Sequence, residues 1–161
     1  MTRGDNEIRI TPSVLDRLLD YEPEVSRDPL ASRSKSLRQL KQSVKRDIEW
    51  LLNTRRLADE LPPDLTELQN SVAAYGLPDF TNSSIKSPAD LNRLRRALEF
   101  AISTFEPRLE DVTVVLEPTR EGSRMMTFRI DARLKVEPAP EPVTFDTVLQ
   151  LDSGEYAVRG E

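Results

Sequence analysis

The chain of 161 residues has no cysteine and no histidine. Without cysteine there is no disulfide, no thiolate nucleophile and no sulfur-ligated metal, a pattern that suits a reducing compartment. Without histidine, Ser-His-Asp triads, imidazole zinc sites and histidine pH switches are excluded as well. Long apolar stretches are also missing. None approaches the ~20 residues of a membrane span, and Met1 to Asn6 is polar, unlike a signal peptide. No cofactor, no metal site and no direct membrane insertion are expected. The formal charge is -5, from 23 basic and 28 acidic residues, so no general attraction to nucleic acid is expected either.

What is present suits a soluble globular chain: 37% hydrophobic and 32% charged residues. Its length fits one domain around one core. Thr11, Pro12 and Ser13 read as the cap and first turn of a short helix whose apolar side carries Val14, Leu15, Leu18 and Leu19. That is a docking helix. Tyr21 to Ser36, rich in charge, serine and proline, reads as an irregular tether, so residues 1–35 form an arm and residues 36–161 the domain proper.

A longer helix is predicted from Ser36 to Asn53. Leu37, Leu40, Val44, Ile48 and Leu51 fall within one sector of roughly 80°, with Arg38, Arg46 and Glu49 outside it. Trp50, the only tryptophan, lies off that stripe. It is expected to pack under the following loop, with anchoring of another protein as the other reading. A short helix is placed between Leu65 and Tyr75, ended by Gly76 in a left-handed cap and by Pro78. The next helix starts at Ser87 with Pro88 in its first turn and Asp90 near the positive end of its dipole. Leu91, Leu94, Leu98, Ala101, Ile102 and Phe105 form its core stripe. Phe100 lies opposite, which predicts a helix sandwiched between a sheet and other helices, with Arg93, Arg95 and Arg96 on a solvated face.

Beyond Phe105 the hydrophobic period changes from 3.6 to 2. Val112, Val114 and Leu116 share one side, Glu117 to Ser123 supply a turn, and Met126, Phe128, Ile130, Ala132, Leu134 and Val136 share one side of the next strand. Glu137 to Pro142 leaves the sheet as a stiff connection, after which Val143 to Leu151 and Tyr156 to Val158 form two more strands around an Asp152-Ser153-Gly154 turn. Strict alternation predicts an α+β fold, with N-terminal helices packed on one face of a small, mainly antiparallel sheet made by the C-terminal half.

Between helix and sheet stand Glu106, Pro107 and Arg108. Proline ends the helix, so a carboxylate and a guanidinium are held two residues apart at a fixed corner. The pair serves either as an intradomain ion pair or as a docking point, and both roles are compatible. An open antiparallel sheet offers unpaired edge groups to an extended arm of another chain, and Glu106, Arg108, Arg129 and Arg133 are candidate selectors of that partner. The competing enzymatic reading is a peptidoglycan glycoside hydrolase using Glu106 and Asp111 as its carboxylate pair. A turn among many charges is a poor place for an acid of raised pKa, and no aromatic groove for sugar is evident, so no enzyme is expected. A freestanding adaptor docking through its first helix is the third class.

The run from Phe105 through Glu106, Pro107, Arg108 and Leu109, the hairpin with Phe128, Arg129 and Ile130, then Val136 to Pro138 and Val143 to Thr147 resembles the TssE baseplate proteins of the bacterial type VI secretion system. Asp16 to Leu19, Val25 to Asp28, Arg46 to Leu57 with Trp50, and Tyr75 to Phe80 carry the resemblance over nearly the whole chain. That family belongs to the contractile-tail baseplate proteins historically called lysozyme-like, and the resemblance implies a structural component rather than a hydrolase. It implies a place in the inner baseplate wedge with TssF and TssG, near the first sheath ring of TssB and TssC, with TssK as a further contact. It also implies a cytoplasmic location at the inner face of the envelope, and makes Glu106, Pro107 and Arg108 the assembly motif.

Overall fold

The computed structural model describes residues 10, 12–19, 24, 33–56, 62, 64–80, 87–117 and 123–160. Helices come first and strands last: α1 (Val14–Leu18), α2 (Arg33–Asn53), α3 (Thr66–Gln69), a 3-10 turn (Val72–Ala74), α4 (Pro88–Phe105), then β1 (Leu109–Leu116), β2 (Met125–Leu134), β3 (Glu141–Gln150) and β4 (Tyr156–Gly160). The four strands form one antiparallel meander in the order β1-β2-β3-β4. The fold is therefore α+β.

The alternation in β2 orders the core. Met126, Phe128, Ile130, Ala132 and Leu134 are buried, while Arg129 and Arg133 are exposed on the other face. Val143, Phe145 and Leu149 of β3 and Tyr156 and Val158 of β4 join the same buried layer. Against it lie Val44, Ile48, Leu51 and Leu52 of α2 and Leu94, Leu98 and Ile102 of α4, all at most 1% exposed. Burial of this single apolar layer drives the two halves together.

Several local expectations need correction. Helix α2 begins at Arg33, so residues 33–36 belong to it and not to the tether; no proline stands between Pro29 and Asn53, and Arg and Lys favour helix. Of residues 20–32, only Glu24 lies within the described part. The helix expected between Leu65 and Tyr75 is broken, because Ser71 Oγ donates to the Leu68 carbonyl and accepts from the Ala73 amide, competing with the helical ladder. Strand β3 starts at Glu141 and includes Pro142, which pairs with Arg133 at a level that β4 does not reach; a proline is tolerated where its missing donor has no neighbour. Phe100 is 48% exposed, so among the described residues the side of α4 that carries it is not buried.

Other punctuation falls where expected. Ser87 Oγ accepts from the Asp90 amide at 3.1 Å with Pro88 at the first helical position. Gly76 adopts φ 102° and brings its chain against the end of α2, where the Leu77 amide donates to the Thr54 carbonyl at 2.8 Å. Strand β1 contains a bulge between Glu110 and Thr113, with Asp111 at φ 54°. Arg133 reaches across it to both Glu110 and Asp111 at 3.1 Å. The extra residue reconciles buried Leu109 with buried Val114, which a regular strand would place on opposite faces.

The two terminal strands are partly covered by helix side chains. On β4, the Asn53 amide accepts from the Tyr156 amide at 2.9 Å and donates to the Tyr156 carbonyl at 2.8 Å, while Glu49 accepts from Val158 at 3.4 Å. On β1, Glu99 accepts from the Val114 amide at 3.0 Å.

Candidate functional site

The corner between α4 and β1 is built from both sides. The Glu106 amide still donates to Ile102 at 2.9 Å as the helix closes, and the Leu109 amide donates back to the Glu106 carbonyl at 3.1 Å as the strand begins. Lys135 fastens the turn to β2, its amide donating to the Arg108 carbonyl and its ammonium to the Pro107 carbonyl, both at 2.8 Å. Pro107 stands exposed at the apex.

Within this turn Glu106 is only 3% exposed and is held by Arg108. Arg108 Nε donates to Glu106 Oε1 at 2.7 Å, Nη2 donates to Glu106 Oε2, and Nη2 also reaches Asp47 Oδ2 of α2 at 2.5 Å. Thus the sequence motif includes an internal ion pair with a third member from 61 residues away. Burial opposes the charge on Arg108, but Glu106 and Asp47 outweigh it and raise its pKa further. Its remaining nitrogen, Nη1, is buried without an acceptor among the described residues.

The charges continue toward α1. Arg46 donates to Asp47 Oδ1 through Nε at 2.9 Å and Nη2 at 2.8 Å, and Nη2 also reaches Asp16 of α1 at 2.9 Å. Ser13, the cap of α1, donates to Asp16 at 2.6 Å. Asp16, Arg46, Asp47, Arg108 and Glu106 therefore alternate in sign along one connected line. The Arg46 guanidinium also stands over Trp50, 5.0 Å from the ring centroid. Trp50 is 52% exposed, so it is not buried under a loop, and Arg46 covers one face of its indole. Helix α1 is thus held through its polar residues, leaving Val14 and Leu18 about three-quarters exposed, at 74% and 76%.

A hollow of about 400 Å³ lies beside the corner, lined by Ser13, Asp47, Leu51, Tyr75, Phe105, Glu106, Pro107 and Arg108. Tyr75 and Phe105 meet edge to face at 5.3 Å and form its apolar wall. Burial, with the nearby charges of Asp47 and Glu106, pushes the Tyr75 hydroxyl pKa up. The site thus combines a stiff charged ridge with an apolar recess, suited to receiving a protein surface.

Of the residues singled out from the sequence, Glu106, Pro107 and Arg108 come together, and Trp50 joins them through Arg46. Arg129 and Arg133 do not. They lie on the solvent face of the sheet, paired with Asp131 and with Glu110 and Asp111. Asp111 has a 68% exposed side chain tied to Arg133 on the bulge, and it does not line the hollow. Glu106 is committed to Arg108, and the two carboxylates do not share the hollow beside it. Among the described residues there is no group of three or more acidic side chains placed to hold a metal, and no helix long and apolar enough to cross a membrane.

Asp16, Arg46 and Asp47 were not apparent as site residues. A signal existed for Asp47: it lies three residues after Val44 and four before Leu51, on the flank of the buried stripe, where an acid needs a partner. Asp16 supplies a pH test. Burial favours its neutral form, but hydrogen bonds from Ser13, Ser43 and Arg46 and the Arg46 charge hold its pKa down to about 2 from 3.8. The folded value is the lower one, so this link contributes fully above about pH 4 and is lost as the pH falls through about 2. The expected result is a Trp50 fluorescence transition near that lower pH which disappears in Asp16→Asn. A midpoint at the ordinary carboxylate value would show that α1 is not anchored through Asp16.

A family model described as baseplate wedge protein gp25 matches residues 38–139, more than half of the chain, from within α2 through the corner and into the β2–β3 connection. No curated protein matches the chain.

Proposed function

Since the chain belongs to the baseplate wedge protein gp25 family, we propose that it is a structural component of a type VI secretion baseplate, linking the wedge to the first ring of the contractile sheath. The observation that carries this reading is the open four-stranded sheet beginning directly at a rigid charged corner. A terminal strand has main-chain donors and acceptors on one side that an extended arm can take up, and main-chain pairing supplies affinity. Charges fixed beside it supply choice of partner and register.

In this reading residues 1–35, the last three of which open α2, act as an arm and residues 36–161 as the wedge domain. Glu106, Pro107 and Arg108 keep the docking surface in shape, and the exposed Pro107 and the recess beside it receive a wedge partner, TssF or TssG. An acceptor brought by that partner satisfies Arg108 Nη1. Arg129 and Arg133 on the wet face of the sheet, and Trp50 on α2, add contacts to the sheath proteins TssB and TssC or to TssK. Assembly takes place in the cytoplasm at the inner face of the envelope.

Cross-linking from a photoreactive group at Arg129, in assembling baseplates, tests this. The expected products contain sheath or wedge proteins. The adaptor reading draws on the exposed Val14 and Leu18, and it predicts instead that a reporter at Leu18 is productive while Arg129 is silent. Silence at both positions would remove the assembly role.

A further inference from the structure

The two terminal strands are closed by different means. On β4 the side-chain amide of Asn53 presents a donor and an acceptor to the carbonyl and amide of Tyr156, as the peptide of a neighbouring strand would. Arg55 adds a bond to the Gly154 carbonyl at 3.1 Å. The helix carrying Asn53 buries Ile48, Leu51 and Leu52 in the core, so freeing this edge means lifting α2 from the sheet. β4 is sealed by the fold itself.

On β1, among the described residues, a single carboxylate does the covering. The Glu117 amide bonds to Thr127 of β2, so the alternating residues Val114 and Leu116 direct their main-chain groups away from the sheet. The Val114 amide is met by Glu99 Oε1, yet both Glu99 oxygens also accept from Arg95 Nη1, at 3.0 and 3.1 Å. Both side chains are partly exposed, at 23% and 35%. Glu99 can therefore leave Val114 and remain paired.

We propose that β1 is the edge that accepts a strand, and that Glu99 is a removable plug on it, displaced from the Val114 amide by a main-chain carbonyl of the incoming segment. This rests on the strand-addition reading above and adds which edge is used and what guards it. The bulge at Asp111 bounds the acceptor stretch on one side and the exposed Glu117 on the other. Its residues are Thr113, Val114, Val115 and Leu116, with acidic residues at both ends. Two copies paired antiparallel through β1 would bring Glu110 and Asp111 of one toward Glu117 of the other, an unfavourable meeting of like charge. The occupant is instead an extended segment of a different protein, apolar or β-branched at its centre and basic where it passes Glu117. In the reading above that segment belongs to the sheath.

Because the chain has no cysteine, single reporters are unambiguous. Val115→Cys on β1 and Ala157→Cys on β4, each carrying benzophenone maleimide, are mixed with the purified sheath heterodimer. The expected result is at least about fivefold more sheath product from β1 than from β4, the ratio that one net hydrogen bond confers. In the isolated full chain, Glu99→Ala is expected to speed exchange of the Val114 amide by about fivefold and to raise the β1 yield, whereas Glu99→Gln, which keeps an acceptor, does neither. Predominant labelling from Ala157 overturns the edge assignment while leaving strand addition standing. Absence of sheath product from both edges overturns strand addition together with this proposal. Unchanged Val114 exchange in Glu99→Ala overturns the plug.

Discussion

Replacing Arg108 with alanine is expected to destabilise the chain by about 3 kcal/mol, because it leaves the Glu106 carboxylate buried and without its guanidinium. The low end of the range for a broken buried pair applies, since about a quarter of the Arg108 side chain, 24%, is open to water. For a chain of this size that is a fall of roughly 6 to 12 °C in Tm. Glu106→Ala should cost less, about 1 to 2 kcal/mol, because Arg108 keeps Asp47. Arg108→Lys does not restore the site: a single ammonium cannot repeat the Nε and Nη2 contacts to both Glu106 oxygens while also reaching Asp47. Thermal melts of the two alanine variants measure the asymmetry. Both are expected to melt cooperatively and to fail in sheath assembly. Equal losses would mean that Glu106 is not dependent on Arg108 for its burial, and a variant that merely unfolds would confine the motif to an internal role.

The second large effect is at Gly76. A Cβ built there would stand 2.4 Å from the Thr54 carbonyl oxygen and 2.9 Å from its carbon, both main-chain atoms that cannot swing aside. The backbone is also at φ 102°, where an L side chain is strained. Gly76→Ala should therefore cost about 3 kcal/mol, from the strained dihedral together with the displaced neighbour. The loss should be local at first. The Leu77 to Thr54 and Arg56 to Leu77 main-chain bonds join this loop to the end of α2, so their amides are expected to lose protection from exchange before the sheet does. A variant as stable as the parent, with these amides still protected, would mean that the loop can withdraw from α2 without consequence.

The sheet and the corner were legible because their signals are local. In β2, a run from Met126 to Leu134 alternates without exception, and period 2 with one buried face leaves little choice of register. Ser87 with Pro88, and Gly76, each announce a backbone geometry through their own chemistry. The pairing of Glu106 with Arg108 was equally readable as one of two roles, since the residues are neighbours.

Long-range polar partners were not legible. Asp47 and Asp16 meet Arg108 and Arg46 across 61 and 30 residues, and on a helix surface an isolated acid has the same appearance whether solvated or paired. The caps Asn53, Glu49 and Glu99 are hidden for the same reason: each reads as ordinary helix polarity until the strand it meets is in place. Phe100 misled because apolarity around a helix normally signals burial. Its exposure shows that one aromatic residue does not make a second buried face. Trp50 likewise finds a cation, Arg46, where a loop was expected.

The closure of β4 by α2 also bears on how the chain is made. Asn53 lies 103 residues ahead of Tyr156, so at ordinary rates of translation it waits about 5 to 20 seconds for its partner to leave the ribosome. Over that interval Ile48, Leu51 and Leu52 have no β4 to cover them, while the hairpins that follow can form from neighbouring sequence as they emerge. The helix that carries Asn53 thus reaches its final seat only after β4 has emerged, and a ribosome stalled just before Tyr156 would hold a nascent chain with that aliphatic ridge still open to chaperones.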